Sequence, residues 1–178
     1  MAQHNAVILV EGESDRAAVL TLAARLGRDF DAEHVEIRVM GGASPLAEHL
    51  ERLLVERRYD GLVAGVIDVG ETSDLEKGLD RVGLSRDGFF TLDPDLEGEM
   101  IRAVGPGAVE AIFEEQGELR GFRTMQDQPH WRGKPIEEQI HRFLRVKSRR
   151  NIRYGTLLAE AMDIDRIPKP LRDLIDFV

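Results

Sequence analysis

Residues 6–10, Ala-Val-Ile-Leu-Val, form an unbroken apolar run that stops at Glu11 and Gly12. A run so short and uniformly apolar predicts a strand buried on both faces, as in a parallel sheet. The period then changes to that of a helix. Val19, Leu22, Ala23 and Leu26 share one face, with Ser14 as the expected N-cap and Gly27 as the stop. Alternation returns over 35–40 and is closed by Gly41 and Gly42. From Ser44, Leu46, Leu50, Leu53 and Leu54 continue at helical spacing to about Arg58. Residues 61–67 give a third buried strand ending on Asp68, 73–82 a weaker helix, and 88–92 a fourth strand ending on Asp93-Pro94-Asp95. Strand and helix alternating in this way predict an α/β fold with a four-stranded, mainly parallel sheet flanked by helices.

Beyond Leu96 the spacing is helical, with segments near 96–104, 107–116, 136–146 and 150–163 and a loop at 126–133. Ile167-Pro168-Lys169-Pro170-Leu171 reads as a rigid extended link before a short last helix. The expected organisation is an α/β core over 1–105 and a helical C-terminal subdomain over 106–178 packed on it.

Composition narrows the chemistry. Among 178 residues there is no cysteine, which excludes disulfides, thiolate metal sites and cysteine nucleophiles together. Five scattered histidines argue against a His-built zinc site. A metal here is expected on oxygen ligands, which suit Mg²⁺, Mn²⁺ or Ca²⁺. No stretch approaches the ~20 apolar residues of a membrane span, and Met-Ala-Gln-His-Asn lacks a basic region followed by a long apolar run, so no secretory signal is expected. A cytoplasmic protein with no membrane partner is expected.

The net charge of −9 hides an asymmetry: residues 1–119 hold 25 acids against 11 Lys and Arg, and residues 120–178 hold 8 against 13. Arg142, Arg145, Lys147, Arg149, Arg150 and Arg153 place six cations in twelve positions with no acid among them. A net acidic chain is a poor general binder of nucleic acid. Acids gathered on a divalent ion and facing a local basic patch escape that objection, whereas a merely solvated surface and an exposed helix face are the plain reading of the same charges.

Ligands of open parallel sheets collect beyond the carboxyl ends of the strands. Three of the four expected strands end there in acids: Glu11, Glu13 and Asp15; Asp68 and Glu71; Asp93, Asp95 and Glu97. Singly, each is explained by a first helical turn or a capped turn. Together they repel one another unless a cation lies between them. Two hard divalent ions ~3.5–4 Å apart are the usual device for phosphodiester displacement, so metal-dependent phosphoryl transfer leads the chemical readings.

The segment Val7-Ile-Leu-Val-Glu-Gly-Glu-Ser-Asp15 resembles the first motif of Toprim domains, in which a strand ends on a glutamate followed by glycine, with an aspartate four residues on. Ala64-Gly-Val-Ile-Asp68 is similar to the second motif. Leu92-Asp-Pro-Asp-Leu-Glu97, Met100-Ile-Arg-Ala-Val-Gly105, the stretch 148–161 and Pro168-Lys-Pro-Leu171 resemble the Toprim nuclease region of the overcoming-lysogenization-defect (OLD) family. The resemblance implies a Rossmann-like Toprim fold and a nuclease using two ions, Mg²⁺ or Mn²⁺. Carried over by position, Glu11, Asp15, Asp68 and Glu97 are ligands, Asp95 is a further member, and Glu11 is also an acid/base candidate. The chain departs from the pattern in three ways. The second motif, normally Asp-x-Asp, is Asp68-Val69-Gly70-Glu71, so that either Glu71, one position later and with a longer reach, substitutes for the missing acid or the second metal is bound more weakly. Asn151 occupies the place of a charge-stabilising lysine, so Arg149, Arg150 or Lys147 must supply that charge. The ATPase domain of full-length relatives has no counterpart ahead of residue 7, and no Gly-x-x-x-x-Gly-Lys loop occurs.

The sequence therefore predicts a DNA endonuclease. Its metal residues are Glu11, Asp15, Asp68, Glu71, Asp95 and Glu97; its catalytic residues are Glu11, Arg150 and Asn151. Arg142, Arg145, Lys147, Arg149, Arg150 and Arg153 are expected to meet the nucleic acid. Partners are DNA, with RNA left open, an ATPase subunit in trans and a second copy of the chain. The runner-up is a catalytically weak Toprim domain that binds nucleic acid or regulates an ATPase. A receiver-like domain phosphorylated on Asp68 is opposed by the lack of a lysine at a later strand end. Gly41-Gly42-Ala43-Ser44 reads as a plain strand-to-helix turn, Trp131 as a loop residue pinned to the helical core in preference to a base platform, and His130 and His141 as structural or exposed.

Overall fold

Strand β1 (Ala6–Val10) is buried along its whole length because it is central and covered on both sides. In this computed structural model, which describes residues 4–41, 46–56, 59–146 and 150–178, β1 lies between β2 (Val35–Val39) and β3 (Leu62–Asp68), and β4 (Phe89–Leu92) follows β3. The order is β2-β1-β3-β4 and every pairing is parallel. The chain leaves β1 in one direction to reach β2 and lies on its other side in β3. That reversal is the switch point at which open α/β sheets bind their ligands.

The helices are α1 (Glu13–Arg25), α2 (Leu46–Glu51), α3 (Thr72–Val82), α4 (Leu96–Val104), α5 (Pro106–Glu115), α6 (Leu119–Gln126), α7 (Ile136–Arg145), α8 (Arg150–Ala161) and α9 (Lys169–Phe177). Side chains of β1 alternate between two apolar clusters. Val7 and Leu9 meet Leu46 and Leu50 of α2 and Leu75 and Leu79 of α3. Ala6, Ile8 and Val10 belong with Ala18, Val19 and Leu22 of α1, and this cluster continues without a break into α4–α9. There Phe113 packs on Phe122, Phe143 and Tyr154 with ring centroids 5.0–5.3 Å apart.

Helix α1 lies along α8, and its end is tied down by Arg25, whose Nη1 donates to the carbonyls of Ala159 and Met162 at 2.6 Å each. Close approach of the two helices depends on Gly155, where a Cβ would lie 2.7 Å from the Ser14 carbonyl oxygen.

The expected elements are present, with four differences. Helix α1 begins two residues earlier than expected: Gly12, not Ser14, is the N-cap, and Asp15 accepts the Gly12 N–H at 2.7 Å, the return arm of a capping box. Residues 52–56 continue α2 as a π-helical turn. Helix α6 falls where no helix was predicted; only Leu119, Phe122 and Met125 mark its inner side, and Gly121 interrupts the signal. Pro168, Lys169 and Pro170 do not form a separate link but start α9, since proline is tolerated in a first helical turn. The expected turn at 42–45 and the helix end near 57–58 lie outside the described residues.

Candidate metal centre

Glu11 directly follows β1 and Asp68 ends β3, so parallel pairing of these strands carries the two residues to the same sheet edge. Glu11 Oε1 accepts a hydrogen bond from the Asp68 backbone N–H at 2.9 Å. Asp15 stands one turn into α1 and is only 8% exposed. Asp95 caps α4, its Oδ1 accepting the Gly98 N–H at 2.9 Å, and Glu97 lies in the first turn of that helix. The carboxylates thus come from helix starts and strand ends that face one edge. Glu71, at the end of the short 3₁₀ turn Val69–Glu71, is exposed but close enough for its charge to act on Glu11.

The electrostatics record this crowding. Asp68 is pushed up to about 8, first by burial and then by the charges of Glu11, Asp95, Asp15 and Glu97. Asp15 is pushed up to about 7, mainly by burial, against its hydrogen bond from Gly12 and with added repulsion from Glu97 and Glu11. Burial also raises Glu11, opposed by the Asp68 N–H and reinforced by Glu71 and Asp95, and burial followed by Asp95 raises Glu97. Four carboxyl groups that resist ionisation at one place form a site short of positive charge. Oxygen donors in this arrangement fit a hard divalent ion such as Mg²⁺ or Mn²⁺.

Asp95 behaves in the opposite way. Burial pushes it up, but hydrogen bonds from His141 and the Gly98 N–H, together with the charges of His141 and Arg145, outweigh burial and hold it below the usual carboxylate range. His141 Nε2 lies 2.7 Å from Oδ2, and Arg145 Nη1 donates to the same oxygen at 2.8 Å. A carboxylate has no proton to give, so Nε2 is the donor. His141 is therefore no isolated histidine: potential ligand atoms of Asp95, Glu97 and His141 all lie within 4.8 Å of one another. No local spacing announces it, because α7 brings it in from 46 positions along the chain.

The described cations do not form one patch. Arg142 and Arg145 lie on α7 beside a cavity that adjoins Asp95. Arg150 is 8% exposed; its Nη1 donates to the Phe143 carbonyl at 2.6 Å and its guanidinium lies 3.9 Å from the Phe143 ring centroid. Arg150 Nε is also 2.9 Å from Glu118 Oε2, a charge contact not aligned as a hydrogen bond. Arg153 holds the other oxygen of Glu118 at 2.9 Å. A buried, paired Arg150 is taken up in joining α7 and α8, which sets it apart from the phosphate-facing role read from its position. Asn151 lines a narrow crevice with Ser14 and Glu97. Lys147 and Arg149 lie outside the described residues. Trp131 packs partly on the helical core, and His130 meets it edge-on at 5.0 Å.

A parallel four-stranded sheet with carboxylates at its switch point defines an open α/β domain whose ligand site lies at the strand ends. Residues 4–56 match the family model of the overcoming lysogenization defect protein-like Toprim domain. The fold of nearly the whole chain is that of OLD C-terminal regions. The C-terminal region of the Burkholderia pseudomallei OLD protein superposes with a TM-score of 0.72 at 16% identity, covering 98% of this chain and 96% of that one. The corresponding region of the Xanthomonas campestris pv. campestris OLD protein gives 0.72 at 19% identity, covering 98% and 92%. A second structure of that region gives 0.71 at 20%, covering 99% and 95%. No curated protein matches the sequence. No helix among the described residues is long and apolar enough to cross a membrane.

Proposed function

We propose that this protein is a divalent-metal-dependent DNA endonuclease of the OLD Toprim class, acting in the cytoplasm. The observation that carries the reading is the meeting of Glu11, Asp15, Asp68 and Glu97 at the switch point with their carboxyl groups held against ionisation. Glu11, Asp15, Asp68 and Glu97 would hold two ions, Mg²⁺ or Mn²⁺, which when bound would supply Lewis-acid charge for phosphodiester hydrolysis. Glu11 is fixed through Oε1 by the Asp68 N–H, which leaves its other oxygen to a ligand or a proton. Burial raises its carboxyl above the ordinary value, the direction that suits a proton-exchanging group. Glu71 extends the acidic edge from the side of β3. Asp95, held by His141 and Arg145, fixes α7 against the start of α4 and so sets the position of Glu97.

The placement of Arg150 favours a second reading. With that charge spent on Glu118 and asparagine at 151, phosphate charge is less well met, and the domain serves as a metal-dependent nucleic-acid-binding or regulatory subunit of an ATPase partner. Supercoiled plasmid incubated in Mg²⁺, Mn²⁺ or EDTA, with wild type and Glu11→Ala side by side, decides between them. Metal-requiring nicking that vanishes in the variant upholds the nuclease. Intact plasmid in every lane, with metal-dependent retardation on a gel, upholds the second reading.

A further inference from the structure

A cavity of about 610 Å³ lies on the α7 side of Asp95, with Pro94, Ile101, Trp131, His141, Arg142 and Arg145 in its wall. His141 and Arg145 are the residues that grip the Asp95 carboxylate, so the cavity and the carboxylate cluster share a wall. The volume falls within the range that holds a drug-sized ligand. Its lining combines an aromatic ring with cations. Trp131 is half-buried and anchored on the core. Arg142 is exposed and has no ion pair or hydrogen bond among the described residues. Arg145 bonds Asp95 through Nη1 alone. Of the acids at the rim, Glu138 is drawn to Lys134 at 3.9 Å.

An indole beside one unpaired guanidinium, Arg142, and a second, Arg145, that is paired through a single nitrogen can recognise a nucleotide: the ring stacks on a base and the remaining N–H groups take its phosphate. A base within a duplex is already stacked and paired, and reaching a side pocket costs a few kcal/mol that an unpaired base does not incur. We propose that this cavity receives one unpaired nucleotide of the substrate strand, its base against Trp131 and its phosphate on Arg142 and Arg145, so that the protein favours single-stranded, frayed or flapped DNA over intact duplex. The proposal rests on the nuclease reading for what happens next to that nucleotide, but binding is measured independently of cleavage.

Trp131 is the only tryptophan of the chain, so its fluorescence reports on this cavity alone. Oligothymidylate and a blunt duplex, each fluorescein-labelled, are titrated into the protein with Ca²⁺ in place of Mg²⁺, following tryptophan emission and label anisotropy together. The expected result is quenching by oligothymidylate and not by duplex. Trp131→Ala should bind the oligonucleotide roughly fivefold to a hundredfold more weakly, the range of one base–aromatic stack, and Trp131→Phe should restore most of the loss. Oligonucleotide binding seen by anisotropy with tryptophan emission unmoved overturns the proposal and leaves the nuclease reading standing. Quenching by oligothymidylate in a protein that cuts neither single strands nor plasmid in Mg²⁺ or Mn²⁺ upholds the cavity and overturns the nuclease.

Discussion

The Glu11 side chain spans the gap between two neighbouring strand ends and accepts the Asp68 backbone N–H at 2.9 Å. A carboxylate at the end of β1 is thereby made part of the β3 terminus. The position of Asp68 depends on Glu11; the Glu11 charge disfavours ionisation of Asp68, whereas the Asp68 N–H favours that of Glu11. The bond itself needs only an oxygen acceptor, whereas an ion needs the charge.

Glu11→Gln separates these two roles. The glutamine carbonyl oxygen still accepts the Asp68 N–H, so the fold is retained and metal-free thermal stability stays within about 1 kcal/mol of wild type or rises. Metal-dependent cleavage falls by roughly 10²–10⁴-fold, the scale of losing a proton-transfer group, and the ligand charge is lost with it. A variant that cleaves at the wild-type rate removes Glu11 from the site.

The raised carboxyls make stability depend on pH and metal together. Asp15 and Asp68 have folded values of about 7 and about 8 against unfolded values near 4. Between those limits the folded state binds more protons at these two groups than the unfolded state, so their contribution to metal-free stability is full below about pH 4 and is lost as pH rises towards 8. A divalent ion reverses the decline because it binds the ionised cluster. Thermal melts in EDTA should show a lower midpoint at pH 8 than at pH 5, and Mg²⁺ or Mn²⁺ should raise the midpoint more at pH 8. Asp68→Asn should flatten the EDTA profile and shrink the response to metal. A metal response as large at pH 5 as at pH 8 contradicts this account.

Asp95 and Glu97 stand two residues apart and should respond oppositely to removal. Asp95 caps α4 and receives hydrogen bonds from His141 and Arg145, so Asp95→Ala is expected to cost about 2–3 kcal/mol from cap and charge-assisted bonds combined. Glu97 is buried among like charges, so Glu97→Gln should leave metal-free stability unchanged or raise it while weakening metal binding. Urea melts with and without Mn²⁺ distinguish the two. Equal loss of stability in both variants shows that their surroundings do not differ in this way.

Much of this was legible from the chain alone. The all-apolar run of β1, the acids after β1, β3 and β4 and the helical spacing beyond Leu96 each reflect a local rule, and the sheet assembled as those rules require. What stayed hidden is what tertiary contact decides. His141 joins Asp95 only because α7 crosses the start of α4, and Arg150 turns inward because Glu118 and Phe143 wait there. Six cations in a short stretch look like one patch, yet helical geometry sends Arg142 and Arg145 to one place and Arg150 and Arg153 to another.

That division predicts different phenotypes within one basic run. Arg150→Ala removes the partner of Glu118 and the cation over Phe143, and should destabilise the fold by about 3 kcal/mol, as when a buried pair is broken from one side. At temperatures where the variant is folded, the salt dependence of its single-strand binding should match wild type. Arg142→Ala should leave the melting midpoint near wild type and lower the slope of log affinity against log salt by about 0.7, one phosphate contact on a single strand. A changed salt slope in folded Arg150→Ala returns that residue to the nucleic-acid surface.

Gly155 joins the helical half of the molecule to the metal centre. Its missing side chain lets α8 approach the Ser14 carbonyl, and Ser14 precedes Asp15. A methyl group 2.7 Å from that oxygen cannot be accommodated by rotating a side chain, because the atom it meets is backbone. Gly155→Ala must therefore move α1 or α8, at an expected cost of 1–3 kcal/mol, the usual scale of overpacking. Alanine is the better helix former, so intrinsic propensity alone predicts a gain of up to about 1 kcal/mol, and the sign of the measured change decides which effect wins. Any shift of α1 carries Asp15 with it. Destabilisation accompanied by a weaker Mn²⁺-induced rise in melting temperature is thus the expected signature, whereas a stabilised variant with its metal response intact shows that the two helices have room to spare.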